Sequence, residues 1–143
     1  MRYVIAIAVS LYSLGFATAQ AAVPMLSGKY AVRFNEICLP NGDAGGAASD
    51  DIIVVNFNTA KGTASLNGIN DIGELVGGNG VVTESAVSKS SPYSNTATTI
   101  TLNGTTLTIM YGPVKKGIAQ SFVAGGIDSN QSSCEDTITA LHQ

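Results

Sequence analysis

The stretch TITLNGTTLTIMYGPVKKGIAQSF, residues 99–122, decides the fold. Asn103-Gly104 separates TTITL from TTLTIMY, two runs rich in β-branched residues. Both turn residues tolerate positive φ, so the pair suits the type I′ turn, whose twist matches that of the strands it joins. Leu107, Ile109 and Tyr111 then share one face of the second run. GPVKKG (112–117) supplies a loop and IAQSFVAG (118–125) returns, so two hairpins lie end to end.

The same reading extends outward. GKYAVRFNEICL (28–39) alternates Tyr30, Val32 and Phe34 with Ala31, Arg33 and Asn35, as a strand with one buried face requires. DIIVVNFN and GTASLNG follow, with Thr59-Ala60-Lys61 as a hairpin-length gap, and GVVTESAVSKS alternates again. No window carries a sustained apolar stripe at helical spacing. EDTITALH (135–142) reads as a last strand, with a short terminal helix as the alternative. The sum is an all-β chain: an antiparallel meander of seven or eight short strands, closed as a small barrel in preference to a β-sandwich, because closure removes exposed strand edges. Two segments read as loops, 39–51 because it is small, polar and glycine-rich, and 67–80 with a short helical turn inside it.

Residues 1–22, MRYVIAIAVSLYSLGFATAQAA, place Arg2 ahead of an apolar run and small residues, the pattern of a secretory signal peptide. The expected leader is 1–19, with cleavage after 21 as the alternative, leaving 20–143 as one domain. The apolar run is shorter than the ~20 residues of a spanning helix. The expected location is therefore secreted or periplasmic, with no membrane span once the leader is gone. Without Arg2, six Lys and Arg face ten Asp and Glu, so the expected mature protein is acidic. Arg33 is its only arginine, and it lacks the basic surface that nucleic-acid binding requires. Lys115-Lys116 reads as a charged hairpin loop.

Two cysteines remain, Cys38 and Cys134, in a chain bound for an oxidising compartment, and they are expected to pair as a disulfide. Two separate thiols or an intermolecular bond are the alternatives. With one distant histidine they do not make a closed zinc shell.

The search for chemistry returns mostly exclusions. The single histidine, His142, is expected to lie at a fraying terminus, badly placed for a triad. Asp50-Asp51 and Glu135-Asp136 are adjacent pairs, and neighbours on a strand point to opposite faces, so they read as solvated loop acids. Asp71 and Glu74 would converge only on a helical turn. GGNGVV (77–82) lacks the aspartate of a calcium repeat and the third glycine of a dinucleotide loop. Oxygen ligands cluster in Asn41, Asp43, Asp50 and Asp51, but not in EF-hand order. No catalytic residue, metal or cofactor is therefore assigned. Asn103-Gly104-Thr105 and Asn130-Gln131-Ser132 are glycosylation sequons if the source is eukaryotic.

The Gly28-Lys29-Tyr30 opening of the first strand resembles the glycine-x-aromatic start of lipocalin-like barrels, which implies that Tyr30 plugs one end of the barrel. Tyr30 stands where that family usually has tryptophan, and the chain has none. The layout also resembles small exported bacterial proteins, which implies a shape and no activity. The expected function is a non-catalytic structural or interaction role on a β-barrel scaffold, with an unidentified partner. The first alternative is a binding module for an apolar or amphipathic small ligand, for which Tyr30, Phe34, Phe57, Ile109, Tyr111 and Phe122 are the candidates. The interior is expected to be filled with side chains in preference to hollow. A hydrolase using loop carboxylates is the second alternative.

Overall fold

Period-two alternation gives each strand an inner and an outer face, and in this chain the inner faces close on one another. The computed structural model describes residues 22–39, 47–76, 79–127 and 134–143. Ten strands follow in chain order: β1 (Gly28–Cys38), β2 (Ala47–Asn58), β3 (Thr63–Val76), β4 (Asn79–Asn95), β5 (Thr99–Leu102), β6 (Thr105–Tyr111), β7 (Val114–Lys115), β8 (Ile118–Ala119), β9 (Ser121–Ile127) and β10 (Cys134–His142). Eight of them form a closed antiparallel barrel in the order β1-β10-β9-β6-β5-β4-β3-β2, and β7 pairs with β8 in a separate two-stranded sheet. The all-β meander expected from the sequence is the observed fold. The leader assigned to residues 1–19 or 1–21 lies outside the described residues.

The β5–β6 hairpin has the expected turn, with φ of 53° at Asn103 and 90° at Gly104. β3 crosses β2 closely at Gly68, where a Cβ would run into the Ile52 carbonyl and the Ile53 backbone. Only glycine fits there.

One end of the barrel is packed solid. Tyr30 is fully buried, and its ring meets Phe57 and His142 edge-on at 5.4 and 4.9 Å. Phe122 and Tyr93 pack on the same cluster. The segment 22–27 corks this end. Leu26 is fully buried, its carbonyl accepts from Tyr93 Oη and Thr59 Oγ1, and Met25 bridges to Ile118 of the β7–β8 hairpin. Tyr30 Oη donates to the Ala119 carbonyl at 2.7 Å.

Two expectations are corrected, the two loops and the fraying of His142, and two alternatives fall with them. Residues 47–51 and 67–76 are strand, and so are residues 79–80, the start of β4. A helical convergence of Asp71 with Glu74 does not occur, since both lie on β3. The C-terminal segment is the expected strand, in full register with β1, and the helical alternative falls. His142 does not fray: it pairs with Tyr30 across the β1–β10 ladder, its Nε2 lies 3.1 Å from the Ser27 carbonyl, and its ring lies half-buried on Tyr30. The ladder continues past it, with Gln143 N donating to the Lys29 carbonyl.

Cys38 and Cys134 form the expected disulfide, joining opposed positions of β1 and β10 with Cα atoms 3.9 Å apart. No helix of the described residues is long and apolar enough to cross a membrane.

Candidate binding cavity

Along β1 the inward positions run Tyr30, Val32, Phe34, Glu36; along β10, in the opposite direction, Ala140, Ile138, Asp136. On β2 they run Phe57, Val55, Ile53, Asp51. Each strand changes from aromatic or aliphatic to acidic on its way from the corked end to the other. The register aligns the changes: Glu36 stands opposite Asp136, and Asp51 opposite Phe34 and Asn70.

The interior above the cork is hollow, with a cavity of about 400 Å³. The expectation of a filled interior holds only for the corked end. Its deep lining is apolar, with Val55, Phe57, Leu66 and Phe122 below and Phe34, Ile53, Leu107 and Ile138 around. Glu36, Ser49, Asp51, Asn70 and Asp136 supply polar groups, and Lys89 adds an ammonium from β4. The wall is uneven. β4 is seventeen residues long, but it pairs with β5 only through Tyr93, Ser94 and Asn95, so on the side of the short β5–β6 hairpin the rim drops to Asn103 and Thr105.

Asp136 is buried at 3% exposure. Asp51 is half-buried, and burial raises its carboxyl above the usual aspartate value, with the neighbouring charges of Asp50 and Glu36 adding to the rise; Asn70 and Lys89 act against it. Asn70 Nδ2 donates to Asp51 Oδ1, while Asn70 Oδ1 is buried and accepts no hydrogen bond among the described residues. The adjacent Asp50 points outward into a bidentate pair with Arg33, at 2.9 and 2.7 Å, which holds its carboxyl below the usual value. The doublets Asp50-Asp51 and Glu135-Asp136 thus divide as strand neighbours must. Each sends one acid out and one in, and the reading of all four as solvated loop acids is corrected for Asp51 and Asp136. Asp50 and Asp51 lie on opposite faces of β2, and Asn41 and Asp43, the other members of the oxygen cluster, lie outside the described residues. Glu36, Cys38 and Cys134 bring ligand atoms within 4.8 Å of one another, but both sulfurs are committed to the disulfide.

Of the six candidate ligand contacts, Phe34, Phe57 and Phe122 line the cavity. Tyr30 belongs to the cork, Ile109 is buried in the wall, and Tyr111 Oη donates to the Thr96 carbonyl and accepts from Asn95 Nδ2. The carboxyl groups went unassigned, although the alternation already carried Glu36 on the parity of Phe34, and Asp136 on that of Ile138. No protein-family model matches the chain, and neither the curated proteins nor the solved structures gave a match to it.

Proposed function

We propose that the protein is an exported binding module that holds a small amphipathic molecule inside the barrel, in the manner of lipocalin-like proteins. The observation that carries this reading is the cavity of about 400 Å³, apolar in depth with a few convergent polar groups, since small-molecule sites have that size and composition. The Cys38–Cys134 disulfide supports the oxidising compartment that export implies. Native mass spectrometry of protein purified from its own host tests the reading. A bound small molecule is expected, and it should be lost in Ile53→Trp, which fills the cavity. A bare chain that also fails to take up an added medium-chain alcohol would sink it.

One observation favours the interaction role as a second reading. Along residues 79–91, β4 has no strand partner on the side away from β3 among the described residues, so a row of backbone donors and acceptors is open to strand addition. Replacing Ala86, whose N–H lies on that open side, with Pro would block such pairing, and pull-downs that lose a partner with that variant would support it.

A further inference from the structure

We infer that the cavity selects an amphiphile whose head is a protonated amine, with Glu36, Asp51 and Asp136 receiving the head and the apolar interior receiving its chain. The inference rests on the reading of the cavity as a binding site and names the chemistry of its ligand.

Three observations converge. The cavity lining carries three carboxyl groups against one ammonium, that of Lys89, so the space has an acidic balance. Glu36 and Asp136 occupy directly opposed positions of β1 and β10, so two carboxyl groups meet at one level of the cavity wall. Asn70 adds a buried acceptor, Oδ1, that no described residue serves. A buried acceptor without a donor is costly, and a donor brought by a ligand removes that cost. An ammonium head supplies positive charge and up to three N–H donors in one compact group. A carboxylate or phosphate head supplies neither, and would meet three acids.

The depth of the site sets the rest of the molecule. Phe34, Ile53, Leu107 and Ile138 surround the space below the acids, with Phe57 and Phe122 beneath. An unbranched or lightly branched alkyl or aryl chain fits such a lining, whereas a second charged group at the far end would be buried against aromatic rings without a partner. The low rim at Asn103 and Thr105 gives a side entrance to the same space.

Calorimetric titration of the full chain at pH 7 with octylammonium, octanol and octanoate separates the possibilities. The amine is expected to bind at least tenfold more tightly than the alcohol, and octanoate more weakly than both. Asp51→Asn and Glu36→Gln should each cut the amine's advantage at least threefold and leave octanol unchanged. Glu84→Gln, at an exposed position on β4, should change nothing, which separates head recognition from general attraction to an acidic protein. If octanoate equals or exceeds the amine, or if neither cavity variant weakens the amine, the inference is overturned while octanol binding leaves the cavity reading standing. No binding by any of the three overturns both.

Discussion

At the corked end the inward positions carry Tyr30, Phe57, Phe122 and Tyr93, ring against ring, with every phenol oxygen there given a backbone acceptor. Some six residues further along β1 and β2, the same inward rows carry Glu36 and Asp51 beside open space. The strands and the alternation are continuous between the two regions. Only the chemistry of the inward side chain changes. Burying aromatic area supplies most of the stabilisation a small barrel has, so the corked end is where the fold is secured. The open end gives up that packing, tolerates a carboxyl raised by burial, and relies on the backbone ladder and one covalent bond. A binding site of this kind needs such a division, because a surface that is already satisfied has nothing to offer a ligand.

If the open end depends on the disulfide, the largest effect should come from replacing Cys38 and Cys134 together with Ser. The bond spans 96 residues, and loss of about 4–5 kcal/mol is expected in the chain-entropy model, read as a fall in melting temperature by calorimetry. An unchanged melting temperature would show that the open end stands without its staple. Phe57→Ala, in the cork, should cost about 3–5 kcal/mol in urea unfolding. Phe34→Ala, half-buried at the cavity, should cost about 1–2 kcal/mol. Equal costs at the two positions would break the comparison. Gly104→Val forces a β-branched residue to φ near 90° and should cost about 1–3 kcal/mol.

The two aspartates side by side on β2 give the smallest and most discriminating effects. The raised carboxyl of Asp51 means that the folded state takes up a proton before the unfolded chain does, so its burial penalty is full at neutral pH and fades as pH falls through the raised value toward about 4. Asp51→Asn should therefore stabilise at pH 7, and the gain should shrink on acidification. Asp50 has the opposite sign: held low by Arg33, it stabilises above about pH 4, and that contribution disappears as pH falls through its lowered value. Its pair is solvent-exposed, so that contribution is small, and Arg33→Ala should lower the unfolding midpoint at pH 7 only slightly. A large loss there would mean that the outer face matters more than either end.

The barrel was legible where its interior is packed. TTLTIMY alternates because Leu107 and Ile109 are buried, and Asn103-Gly104 marks its turn because the backbone there has positive φ. Residues 47–51, 67–76 and 79–80 misled for the complementary reason. Where the interior is open, inward positions such as Ser49, Asp51 and Asn70 need not be apolar, so the alternation that announces a strand fades although the ladder persists. Gly68, inside the expected loop, is required for close passage of β3 over β2. Those parts of the sequence that looked least like strand therefore contribute Ser49, Asp51 and Asn70 to the polar lining of the cavity. The position of His142 depended on β10 pairing with β1, and nothing local to the sequence announces a partner more than a hundred residues away.

That last pairing has a consequence in time. The barrel is sealed between β1 and β10, its earliest and latest strands, so a chain delivered in order must hold the outer edge of β1 unsatisfied until the rest of the meander has been laid down. Contacts of such long sequence separation are slow to form. Until they do, no interior is enclosed and no ligand can be held. Maturation should then end in a single late event, the docking of β10, and the covalent link at its open end records that the event has taken place.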